Sequence, residues 1–133
     1  MRTRCEIWLA VVALCFASPA LAASSTGYGK GGRTKDFAVD VQKYDQSGES
    51  FRITGHCQSA CTMFLAVRNV CIEPSARLLF HAGDNATATS RMMNSYNSKL
   101  RAYLVANRAM ETPAFHTISG SDMISKFGYK ACK

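Results

Sequence analysis

Gly55 to Gly83, GHCQSACTMFLAVRNVCIEPSARLLFHAG, sets a serine at the head of an apolar segment and a histidine at the end of an apolar strand. A serine hydroxyl is a weak nucleophile until a neighbouring base takes its proton, so Ser59 and His81 make chemical sense as a pair that folding brings together. The segment from Ser59 to Val67 has no Gly or Pro and is apolar almost throughout, which predicts a buried helix with the serine in its first turn. Residues 69–73 and 77–81 read as short strands separated by Pro74.

Working outward, Phe37, Val41 and Tyr44 fall on one face of a helix predicted from Thr34 or Lys35 to Gln46, with Ser47 and Gly48 as its stop. Residues 50–54 alternate and read as a strand ending at Gly55. Beyond His81 a polar loop precedes a longer predicted helix from about Ser90 to Asn107, with Met93, Tyr96, Leu100, Tyr103 and Leu104 on its apolar face. Thr112 and Pro113 read as the start of a short helix, because Thr is a common cap and Pro suits the first helical position. Residues 121–128 predict one more, with Gly128 just past its end. Helices alternating with short apolar strands predict an α/β layer structure.

The first residues point to export. Arg2 and Arg4 precede a mostly apolar run from Glu6 to Phe16, and Ala20, Leu21 and Ala22 offer small residues for cleavage, so residues 1–22 read as a signal peptide cut after Ala22. An apolar run of about ten residues is too short to span a bilayer as a helix, so no integral membrane segment is expected in the mature chain. Cleavage leaves 111 of the 133 residues and takes the formal charge from +7 to +6. The small polar stretch 23–30 reads as a flexible leader, and 31–133 as a single α/β domain. Four cysteines remain, Cys57, Cys61, Cys71 and Cys132. An even count in a small exported domain predicts two disulfides, with three pairings open.

Composition also excludes some functions. Lys and Arg are scattered singly, without a basic run or aromatic-spaced strip, so no nucleic-acid partner is expected. His56, Cys57, Cys61, Cys71 and His81 supply zinc-type donors, but there is no CysXaaXaaCys pair, and adjacent His56 and Cys57 would point to opposite sides of an extended chain. No metal and no cofactor are expected, and no Walker or Rossmann glycine pattern occurs.

SerAlaCysThrMetPheLeuAla at 59–66 resembles the serine segment of the Clp-type serine peptidases, within the wider crotonase-like superfamily. ProSerAlaArgLeuLeuPheHis at 74–81 is similar to that family's Pro, small residues, Arg, apolar run and catalytic His. Gly31 and Gly32 precede Ser59 at about the interval of the family's glycine oxyanion loop, so the three anchors cover residues 31–81. A weaker likeness reaches Gly128, and short exported bacterial proteins combining CysXaaSerAlaCysThr with AlaArgLeuXaaPheHisAla are similar too. The resemblance implies a small truncated crotonase-like domain with helices on a short, mostly parallel sheet. It also implies Ser59 as nucleophile, His81 as general base and then acid, and an oxyanion hole made by the backbone amides of Gly32 and Ala60.

The family's third residue is an acid that orients the imidazole, and here the pattern breaks. Its position falls on or near His116, where there is no carboxylate. His116 and Asp122 are the candidates for that role, with Asp84 and Glu111 as further carboxylates that no motif places. Plainer roles stand beside these. Ser59 serves equally as a helix N-cap, His81 as a hydrogen-bonded structural histidine, His116 as packing, and Gly31–Gly32 as an ordinary turn. Two function classes follow: an exported serine hydrolase acting on a peptide or small acyl substrate, and a catalytically inactive relative that binds a peptide or protein in the cell envelope. Coenzyme A chemistry, common elsewhere in the superfamily, is disfavoured for an exported chain. Oligomeric state is left open.

Overall fold

The computed structural model describes residues 12–16 and 22–133. Most of the expected signal peptide lies outside the described residues. The chain forms an α/β structure of two three-stranded sheets with helices packed on them. In chain order these are β1 (Ala23–Ser24), α1 (Thr34–Ser47), β2 (Phe51–Ile53), β3 (His56–Gln58) and a 3-10 helix (Ser59–Ala66). They are followed by β4 (Val70–Ile72), β5 (Arg77–Phe80), α2 (Ala86–Asn94), α3 (Ser98–Ala106), β6 (His116–Ser119) and α4 (Gly120–Phe127).

One sheet is wholly parallel, in the order β1-β2-β4. The other has the order β3-β5-β6, with β3 parallel to β5 and β6 antiparallel to it. The single short sheet expected is therefore two, and only one is parallel throughout.

The core gathers on the 3-10 helix, whose residues from Ala60 to Leu65 are all buried. Phe64 is fully buried, stacked on Phe51 at 4.3 Å between centroids and met edge-on by Tyr28 at 4.8 Å, with Phe37 and Tyr44 beyond. Residues spaced along α1 thus reach the same aromatic cluster as β2, which is why the predicted α1 face packs as read. Such a ring typically contributes about 3–5 kcal/mol relative to alanine.

Two disulfides close the four cysteines as Cys57–Cys61 and Cys71–Cys132. The second ties the last residues to β4, and a bridge between Ile72 and Ala131 runs beside it. Among the described residues no helix is long and apolar enough to cross a membrane.

Several expectations are corrected. Residues 23–30 are no flexible leader: Ala23 and Ser24 pair with Phe51 and Arg52, and buried Ser25 exchanges hydrogen bonds with the Thr54 backbone. The helix expected over 90–107 is two, because Asn97 caps α3 by accepting from the Leu100 amide while its own amide side chain donates to the Phe127 carbonyl. The helix expected from Thr112 is absent, and 116–119 is instead a strand whose backbone pairs with β5. The serine helix is 3-10 rather than α. The helix over 121–128 is present as α4, capped by Ser119 and closed by Gly128 at φ 77°.

Candidate active site

Parallel pairing of β3 with β5 matches His56 with Arg77, Cys57 with Leu78 and Gln58 with Leu79. One step further along each strand brings Ser59 level with Phe80, so His81 stands one residue beyond. Two adjacent parallel strands therefore deliver the serine and the histidine at their carboxyl ends, the edge at which open α/β sheets bind ligands. Both residues line one cleft of about 270 Å³, together with Gly32.

Ser59 is held in an unusual way. Its φ is +55°, a left-handed conformation that serine seldom adopts, and it is the first residue of the 3-10 helix. The disulfide joins the residues two before and two after it. Both half-cystines are fully buried, and neither lines the cleft, so the disulfide braces the turn from behind without obstructing the opening. Thr62 adds a second brace: its hydroxyl donates to the Ser59 carbonyl at 2.7 Å and also meets the buried Tyr96 hydroxyl at 2.5 Å. Burial raises the Tyr96 phenol well above its ordinary value, so it stays protonated as a donor.

The Ser59 side chain is not the helix cap, since Gln58 holds that position and no side-chain cap bond forms. That removes the plainest structural role for this hydroxyl. The first-turn amides of the helix, Ala60 among them, have no acceptor within the helix. They point toward its amino-terminal end, where the helix dipole favours negative charge.

The glycine loop is bound to the same corner. The Gln58 amide donates to the Gly29 carbonyl and the Gln58 side chain donates to the Lys30 carbonyl, both at 2.9 Å. Gly31, at φ 72°, lies so close that a Cβ there would sit 2.9 Å from the Gln58 carbonyl oxygen and from the Ser59 Cβ. Gly31 makes the close approach to the serine, and Gly32 forms the adjacent cleft wall. Ala60 is fully buried and takes no part in the lining.

His81 follows β5 with both ring nitrogens buried and without a hydrogen-bond partner among the described residues. Phe115 packs edge-on against its ring at 4.9 Å. A structural histidine spends its nitrogens on neighbours, whereas this one keeps both uncommitted beside a cleft. No hydrogen bond joins it to Ser59, a common looseness in ligand-free sites.

Neither candidate for the third residue lines the cleft. His116, on β6, pairs with Phe80 of β5 and meets the Tyr103 hydroxyl at 3.1 Å. Asp122 belongs to the first turn of α4 and pairs with Lys126 at 3.1 Å. Glu111 pairs with Arg108. Asp84 is the one carboxylate on the cleft wall, and it makes no bond to His81.

Sequence reasoning missed the basic part of the lining, Arg33, Lys35 and Arg91. The signal available was local: Arg33 and Lys35 flank the start of a helix directly after the glycine loop. Arg91 needed the tertiary packing of α2 beside α1, where its guanidinium donates to Thr34 Oγ1 at 3.4 Å. Gly83 also lines the cleft, and a Cβ there would fall 2.7 Å from that of Ala88. No group of three or more His, Cys, Asp or Glu side chains among the described residues is placed to hold a metal ion. Comparison with known proteins finds no matching family model, no matching curated protein and no matching solved structure.

Proposed function

We propose that this chain is an exported serine hydrolase built on a compact crotonase-like, Clp-type domain, acting on a peptide or small acyl substrate with Ser59 as nucleophile and His81 as base. The observation that carries this reading is the meeting of a strained, non-capping serine and an uncommitted histidine in one cleft at the ends of paired parallel strands. The two disulfides and the expected signal peptide support an oxidising compartment.

In the proposed reaction the Ser59 hydroxyl oxygen bonds to the substrate carbonyl carbon as its proton passes to the His81 ring. The carbonyl electron pair moves onto oxygen, which the Gly32 and Ala60 amides receive. Collapse breaks the bond to the leaving group, which takes the proton from His81. Water then attacks the acyl-serine, again deprotonated by His81, and frees the acid and the serine. Without an orienting acid the rate falls, by about 10⁴ where a serine-protease triad loses its carboxylate, while oxyanion stabilisation persists.

Intact-mass labelling of the oxidised mature protein with a fluorophosphonate tests nucleophile activation without a known substrate. Stoichiometric labelling, lost in both Ser59→Ala and His81→Ala, is expected. A folded protein that takes no label overturns the hydrolase reading. One observation favours the alternative of a catalytically inactive envelope-binding protein: the His81 ring has neither Ser59 nor a carboxylate as hydrogen-bond partner.

A further inference from the structure

The walls of the Ser59–His81 cleft are not electrically balanced. Arg33, Lys35 and Arg91 line it against a single carboxylate, Asp84. Arg33 is committed to Asp36 at 3.0 Å, but Lys35 and Arg91 have no acidic partner among the described residues. The start of α1, a fourteen-residue helix, adds to the same wall: Arg33 holds its N-cap position without any side-chain cap bond, and Thr34 and Lys35 line the cleft. Its first-turn amides contribute partial positive charge there. His81, which lines the same cleft, has two buried nitrogens without a partner among the described residues. Met92, almost fully buried, and Ala88 supply an apolar floor.

We propose that this cleft selects a carboxylate-bearing substrate: a small acyl or peptidyl group whose carboxylate is received by Lys35 and Arg91 while its apolar portion rests on Met92 and its reactive carbonyl faces Ser59. The inference rests on reading the cleft as the substrate site, and it names the substrate class that the walls favour. The carboxylate comes either from an acidic side chain or from a free peptide C-terminus. Arg91 is oriented for the task by its bond to Thr34; Lys35 and Arg91 are both exposed, so their attraction for a carboxylate weakens as salt rises.

The test is binding to the Ser59→Ala protein, so that no turnover is needed. Two matched probe pairs are titrated at low salt and followed through backbone amide NMR signals of Gly32 and Gly83. One pair is N-acetyl-glutamate amide against N-acetyl-glutamine amide. The other is N-acetyl-Ala-Ala with a free C-terminal carboxylate against its C-terminal amide. The anionic member of at least one pair is expected to bind about five- to tenfold more tightly than its neutral partner, and the pair that discriminates identifies the source of the carboxylate. Lys35→Gln combined with Arg91→Gln, checked for an unchanged fold, is expected to erase the difference. Equal binding within both pairs, no binding by any probe, or a preference that survives the double substitution overturns the proposal. Fluorophosphonate labelling of the wild-type protein is scored separately. Its failure would sink the hydrolase reading alone, whereas failure of charge selection leaves the labelling result untouched.

Discussion

Cys57 and Cys61 are joined across Ser59, one in the middle of a short strand and the other within the following helix, and the serine between them has φ +55°. The other tie across this junction is the Thr62 hydroxyl, which donates to the Ser59 carbonyl. A covalent brace on a backbone that serine disfavours keeps the hydroxyl at the helix entrance, where its neighbouring amides are unspent.

The two disulfides are expected to separate stability from site geometry. In the chain-entropy model the bridge spanning 61 positions contributes about 4 kcal/mol and the bridge spanning 4 about 2 kcal/mol. Replacing Cys71 and Cys132 with serine should therefore lower the denaturation midpoint more than replacing Cys57 and Cys61. Fluorophosphonate labelling under conditions where both variants stay folded should fall the other way, with the Cys57/Cys61 variant losing most of its rate. Equal loss in the two variants would mean that the short disulfide has no particular role at Ser59.

Gly31→Ala should damage the site beyond its cost in backbone strain. Its φ of 72° and a Cβ 2.9 Å from both the Gln58 carbonyl oxygen and the Ser59 Cβ combine two penalties. Gly48, at φ 70° with nothing within 4 Å, has only the first. Gly48→Ala is expected to cost about 1 kcal/mol, and Gly31→Ala about 2–3 kcal/mol, by denaturant titration. Only Gly31→Ala should also slow labelling, by displacing the loop from the serine. Indistinguishable stabilities would contradict the close packing.

The parts of this structure that follow from local chemistry were legible in the sequence. The apolar face of α1, the Gly128 stop of α4 and the even cysteine count each depend on a few neighbouring residues. Ser59, His81 and Gly32 line one cleft, and it was the resemblance, not local chemistry, that singled these three out together. What escaped depends on distant partners. Ala23 and Ser24 are a strand only because β2 lies alongside, and His116 to Ser119 carry strand structure only because they pair with the free side of β5. The break at Asn97 is decided by the Phe127 carbonyl, 30 residues away. His116 drew attention through its place in the motif, yet its ring is spent on Tyr103 of α3.

His116→Gln and Asp122→Asn are accordingly expected to leave fluorophosphonate labelling within about twofold of wild type, because neither side chain touches the cleft. Each should instead move the melting temperature slightly, one through Tyr103 and the other through Lys126. A loss of labelling near that of His81→Ala in either variant would restore it as the orienting residue.

Alkaline pH should destabilise the fold through its buried phenols. Burial raises Tyr96, and burial also raises Tyr129, above the ordinary tyrosine value. In the unfolded chain these groups ionise near pH 10, while in the folded protein they hold their protons to higher pH. The unfolded state then binds fewer protons, so stability is fully present below about pH 10 and falls as the pH climbs through the raised folded values. Tyr96→Phe removes one such group, leaves Thr62 its bond to the Ser59 carbonyl, and is expected to cost only about 1 kcal/mol at neutral pH. Thermal melts at pH 8 and at pH 11 should show a smaller alkaline drop in Tyr96→Phe than in wild type. An equal drop would place the alkaline sensitivity elsewhere and free the Thr62–Tyr96 contact from any part in it.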